Sequence, residues 1–272
     1  MASSPPSAPT TGDGARPAPG RGVAARGLRW LGTATGISMA ALFVGVFAYV
    51  PTDAVQGPSQ RIFYIHVPAA WVGGVAFLVV FVASLVVLAT RSSRWDRLAA
   101  SSAEVGVVFT TAVMLTGPLW ARPVWGAFWS WDPRLTSYFV LFLLYLSYLA
   151  MRSFVADPMR RARYSAVLGV VAFFNVPLVY FSVRWWDSLH PGPVVANPEG
   201  PQLPTSMLLV LIGGLVAFTL LYVLLLWLRI DISARRERAD TEQVSLRCKR
   251  GVTPSPRTSA PACFSAAISP RC

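Results

Sequence analysis

The sequence predicts an all-α polytopic membrane protein of six transmembrane helices, with both termini on the cytoplasmic side. Three observations carry the prediction. Of 272 residues, 54% are hydrophobic and 13% charged, too few charges to cover a soluble domain of that length. Apolar runs near the ~20 residues that cross a bilayer recur along the chain. Arginines crowd into alternate connections between those runs, the positive-inside pattern. The net charge of +12 is thus spread over short basic clusters and does not form a polyanion-binding surface. The expected partner is the lipid bilayer and not nucleic acid.

The predicted spans run over 30–50, 67–90, 98–120, 135–151, 164–183 and 205–228. Arg16, Arg21, Arg26 and Arg29 precede the first. Arg91, Arg94 and Arg97 lie between the second and third, and Arg152, Arg160, Arg161 and Arg163 between the fourth and fifth. Arg229, Arg235, Arg236 and Arg238 follow the sixth. The intervening loops, 51–66, 121–134 and 184–204, hold only Arg61, Arg122, Arg134 and Arg184, which makes them the outer loops. Residues 1–28, rich in Pro, Ala, Gly and Ser and lacking the apolar core of a signal peptide, read as a disordered cytoplasmic tail. Residues 29–232 form the membrane domain. Residues 233–272 read as a basic, mostly disordered tail, with a short basic helix over 233–242 on the membrane surface. All three cysteines, Cys248, Cys263 and Cys272, lie in that tail and give neither a disulfide framework nor metal-ligand spacing.

The outer loops carry the residues with chemical potential. Trp120, Trp125, Trp129 and Trp131 fall within twelve residues, with Phe128 among them. Counted with Trp71, Trp185 and Trp186, seven of the ten tryptophans lie at outer ends. An interfacial aromatic belt accounts for tryptophan at helix ends; a flat hydrophobic platform for a large planar ligand accounts for the clustering. Asp132-Pro133 is a helix start, with Asp as N-cap and Pro at the first helical position, and ligand contact by the carboxylate is an addition to that role. The only two histidines, His66 and His190, fall on this same face. Either alone reads as an interfacial anchor. Together they suit the two axial positions of a haem iron, and fit haem better than structural zinc, for which two ligands are too few without help from Asp53, Asp132, Asp187 or Glu199. Arg61, Arg122, Arg134 and Arg184 could pair with two propionates or snorkel at the headgroups. Glu104 and Asn175, inside the third and fifth spans, read first as helix glue.

At these residues a family resemblance emerges. The stretch Trp125-Gly126 through Trp129-Ser130-Trp131-Asp132 to Arg134-Leu135-Thr136 resembles the tryptophan-rich signature of haem-handling proteins in cytochrome c biogenesis. Tyr64-Ile65-His66-Val67-Pro68 and Tyr180 through Arg184-Trp185-Trp186 to Leu189-His190 resemble the histidine regions of one branch, the haem exporter protein C (CcmC) family of the system I maturation pathway. The similarity covers about residues 30–230. It implies haem b held axially by His66 and His190, with Trp120, Trp125, Trp129, Trp131, Asp132, Trp185 and Trp186 and the four outer arginines around it. It also implies delivery to a membrane-anchored haem chaperone of the CcmE type, beside ABC transporter subunits of the CcmA and CcmB type and a small CcmD-type subunit. The setting implied is the inner membrane, with haem on the periplasmic side. Phe128 stands where the family usually has another tryptophan, and the tail beyond about Asp240 matches no part of the pattern. A system II (CcsA-type) synthase subunit is expected to carry further histidines, and a small-solute permease to place polar or broken helices at mid-membrane. The chain has no GxxxxGK[ST] loop, so any ATP use falls to a partner and the protein is read as a transfer subunit, not an enzyme.

Overall fold

The computed structural model describes residues 19–192 and 200–249, and among these the regular structure is helical. Seven α-helices follow in order: α1 (Pro19–Val44), α2 (Phe63–Thr90), α3 (Ser93–Trp125), α4 (Pro133–Phe154), α5 (Pro158–Phe173), α6 (Asn175–Trp185) and α7 (Thr205–Lys249). They make six segments long and apolar enough to cross a membrane, α5 and α6 together supplying the fifth. The protein is therefore a six-span membrane protein. Glu199 and the cysteines Cys263 and Cys272 lie outside the described residues, as does the side chain of Cys248.

Helix α2 is the centre of the bundle, packing against α3, α5 and α7. It is apolar all round, and its buried face carries small residues, Ala69, Gly73, Ala76 and Ala83. Without a hydrophobic force between helices in lipid, close approach at small residues and hydrogen bonds between helices hold the bundle. Tyr145 of α4 donates its hydroxyl to the Gly73 carbonyl at 2.8 Å. The Tyr145 ring fills the space beside Gly106, where a Cβ would come within 2.6 Å of it. Ser102 Oγ lies 2.8 Å from the Ala76 carbonyl and 2.8 Å from the Tyr222 hydroxyl, tying α3 to α2 and α7.

Three features depart from the expected layout. The fifth span is two helices, broken at Phe174. Pro177 has no N–H to give the carbonyl four residues back. Asn175 Nδ2, at the break, donates to the Ser137 carbonyl of α4 at 2.9 Å, which realises the role of helix glue. The 233–242 segment is not a separate surface helix. It continues α7 without interruption, because no Gly or Pro occurs from Leu228 to Lys249, and Glu237 within it pairs with Arg97 of α3. Helix α1 likewise begins at Pro19, inside the stretch expected to be disordered.

The two ends of the bundle differ in charge. At the arginine-rich end, Arg152 grips Asp96 through two bonds of 2.6 and 2.9 Å, and Arg229 pairs with Glu104. The carboxylate in the third span is thus half of an α3–α7 ion pair, the low-cost way to keep a charge at membrane depth. The opposite end carries both histidines.

Candidate functional site

The site forms where the start of α2, the end of α3, the start of α4 and the chain after α6 converge. A 3₁₀ turn, Pro58–Ile62, feeds directly into α2, and His66 lies in the first turn of that helix. Its Nδ1 is 2.9 Å from Thr116 Oγ1 of α3. One helical turn beyond Thr116, Trp120 sets its ring edge-to-face against His66, with centroids 5.6 Å apart. Trp120 is itself clamped, since its Nε1 donates to Gln56 Oε1 at 2.9 Å. Gln56 sits in a tight turn where Asp53 Oδ1 accepts the backbone N–H groups of Val55 and Gln56. Gly117 gives His66 room: a Cβ there would stand 3.3 Å from the imidazole Cε1.

His190 is held by Asp132. This carboxylate is only 6% exposed and joins two segments. Its Oδ1 accepts the N–H groups of Arg134 (2.9 Å) and Leu135 (3.4 Å), capping α4 as the sequence predicts. The same oxygen lies 3.1 Å from His190 Nδ1. Oδ2 accepts Ser188 Oγ and the Leu189 N–H, both at 2.7 Å. Burial by itself raises the Asp132 carboxyl, but the bonds from Ser188, Leu189 and Arg134 and the neighbouring His190 outweigh it and hold the group below the usual carboxylate range. Burial pushes the His190 imidazole below its ordinary pKa; Asp132 opposes this and the Arg134 guanidinium adds to it. An ionised carboxylate only accepts, so His190 donates to Asp132 from Nδ1. The Trp125 ring stands edge-on to it at 4.8 Å.

Each histidine therefore has an Nδ1 partner and a tryptophan edge, and both tryptophans come from the last two turns of α3. The end of α3 that carries Trp120, in contact with His66, and Trp125, in contact with His190, brings both rings to the same end of the bundle. Among the described residues, neither Nε2 has a hydrogen-bond partner. This is the arrangement of metal-ligating histidines, whose other nitrogen is held by a carboxylate or another polar group. Two imidazoles of this kind would serve as ligands to a haem iron. Among the described residues no three His, Cys, Asp or Glu groups cluster, so a structural zinc lacks its ligands there.

The remaining predicted residues take separate places. Trp129 and Trp131 pair at 86° and Trp129 meets Phe139 at 76°. The tryptophans thus do not lie in one plane as a flat platform, because edge-to-face contact suits the ring quadrupoles better. Trp131 is 76% exposed. Trp185 stacks on Phe181 and meets Trp186 edge-on, and both are exposed. Arg61 lies over Phe47, Arg122 over Phe128 and Arg184 over Tyr180. Arg122 also donates to the Gly126 carbonyl and Arg134 to that of Tyr180. Among the described residues none of these four pairs with a carboxylate, whereas Arg97, Arg152, Arg229 and Arg235 all do. Thr116, Gln56 and Ser188 escaped the sequence reading. Their only local signal is that Thr116 stands four residues before Trp120, on the same helix face.

Fold and site define a polytopic membrane protein with a two-histidine, tryptophan-edged site at one end of its bundle. A family model described as Heme exporter protein C matches residues 12–245. The chain is 42% identical to Heme exporter protein C of Bradyrhizobium diazoefficiens, over 80% of this chain and 83% of that one. It is 34% identical to the Haemophilus influenzae protein of the same name, over 75% and 84%, and 34% identical to that of Rhodobacter capsulatus, over 78% and 89%. The chain belongs to the haem exporter protein C family.

Proposed function

We propose that the protein binds haem b between His66 and His190 and delivers it to a membrane-anchored chaperone of the CcmE type during c-type cytochrome maturation. The observation that supports this reading is that the chain's only two histidines lie at one end of the bundle, each anchored at Nδ1 and, among the described residues, without a hydrogen bond at Nε2. When bound, haem supplies an iron with two axial positions and two propionate charges. The chain's residues do the rest. His66 and His190 supply the ligands, and Trp120 and Trp125 hold those rings in place. Trp129, Trp131, Trp185 and Trp186 offer apolar surface at the mouth. Arg61, Arg122, Arg134 and Arg184, which make no salt bridge among the described residues, form a cationic rim suited to carboxylates. Energy input falls to ABC subunits of the CcmA and CcmB type, with a small CcmD-type subunit beside them.

Purification of the chain from cells that make haem, followed by an absorption spectrum, tests the binding. A Soret band with low-spin α and β bands in the reduced state is the expected result, and haem-free protein from such cells overturns the reading. Co-expression with the chaperone is expected to yield a complex that contains haem.

The proposed orientation puts this site on the periplasmic side of the inner membrane, on the strength of the arginine clusters at the other end. Reporter fusions after Arg94 and after Arg160 are expected to be cytoplasmic, and a fusion after Gly57 outside. An outside signal at Arg160 breaks the orientation and separates the two histidines.

A further inference from the structure

We infer that Thr116 is a positioning residue that fixes the proton of His66 on Nδ1, and so makes His66 the more readily displaced of the two ligands. The inference rests on the proposed haem site and adds a residue and an asymmetry to it.

The argument is one of proton accounting. Thr116 Oγ1 lies 2.8 Å from the Ala112 carbonyl, four residues back in α3, and 2.9 Å from His66 Nδ1. A carbonyl oxygen only accepts, and a hydroxyl has one proton. The proton goes to Ala112, the back-bond that helical threonines favour and that Thr35, Thr90, Thr111 and Thr219 of this chain also make at 2.6 to 2.8 Å. Oγ1 then meets His66 as an acceptor, so Nδ1 carries the ring proton and Nε2 keeps its lone pair. Which nitrogen binds a metal is set by the bond the other one makes.

The supports of the two rings are chemically unequal. His190 donates to a buried carboxylate, which draws its proton and raises the donor strength of Nε2. His66 donates to a neutral hydroxyl already engaged with a carbonyl, and its Nε2 is the weaker donor. A carrier that must give its haem away gains from one firm and one yielding ligand, and the yielding one is on α2.

The test uses the full chain in detergent or nanodiscs. With only two histidines, labelling with ¹⁵N-histidine gives two imidazole spin systems, read without haem. Both rings are expected to carry their proton on Nδ1. Thr116→Val, which keeps the shape and removes the oxygen, is expected to shift one ring away from that form, and Thr116→Ser to restore it. In haem-loaded protein, Thr116→Val is expected to lower haem retention by about 10-fold, again with rescue by serine. In the wild type, titrated imidazole is expected to replace His66 before His190, so that His66→Ala abolishes the first exchange step. A wild-type His66 with its proton on Nε2, or a valine variant with both rings unchanged, overturns the role of Thr116. First displacement at His190 overturns the asymmetry. Absence of haem from every variant sinks the function proposed above, while the haem-free spectra still decide the tautomer.

Discussion

Haem-loaded protein carrying His66→Ala or His190→Ala is expected to lose its six-coordinate low-spin signature, and the double variant most of its haem. Each single replacement opens one axial position, giving high-spin character or partial loss. Exogenous imidazole is expected to return the low-spin spectrum, because the ring is what the site then lacks. The surroundings favour such rescue. The Trp120 and Trp125 rings stand beside the vacated positions, and Thr116 Oγ1 and Asp132 Oδ1 remain to orient an incoming imidazole. In the double variant only ring contacts and arginine–propionate pairs hold haem, each edge or stack worth about 0.5–1.5 kcal/mol beyond area burial. Low-spin spectra unchanged in both single variants rule out the bis-histidine site.

Asp132→Asn is expected to release the 188–190 loop and to cut haem retention by about 10- to 100-fold, the usual effect of removing a group that supports a metal ligand. The amide oxygen can still accept the Arg134 and Leu135 N–H groups and cap α4. Its NH₂ then faces Ser188 Oγ–H and the Leu189 N–H, donor against donor. Asp132→Ala is more severe: a lost N-cap costs about 0.5–2 kcal/mol, and each buried donor left without a partner about 1–3 kcal/mol. Proteolysis of the 186–192 segment and the reduced haem spectrum read the two effects separately. If Asp132→Asn behaves as the wild type in both, the carboxylate is only a helix cap. Because its folded pKa lies below the ordinary value, the stability Asp132 contributes is fully present above about pH 4 and is lost only as the pH falls through the lower folded value.

The membrane architecture was readable in the sequence because lipid leaves few alternatives. Spans of fixed length, with basic clusters between alternate pairs, identify six crossings and group the histidines, tryptophans and lone arginines at one end. The Asp132-Pro133 helix start was readable for the same local reason, since caps are written within three residues. What the sequence could not convey are contacts whose partners are far apart in the chain: Thr116 with His66, Gln56 with Trp120, Ser188 and Leu189 with Asp132, Asn175 with Ser137. Threonine and glutamine are too common and too weakly patterned for such roles to stand out.

Local patterns by themselves thus determined that this protein crosses the membrane six times and presents its two histidines at one face. Tertiary structure alone decided which nitrogen of each ring is anchored, which tryptophans edge the histidines and which stand apart, and that α7 runs on past the expected span. Composition and spacing set which end of a helix a residue occupies. The direction in which a side chain points, and the atom that meets it, depend on how α2, α3 and α4 pack.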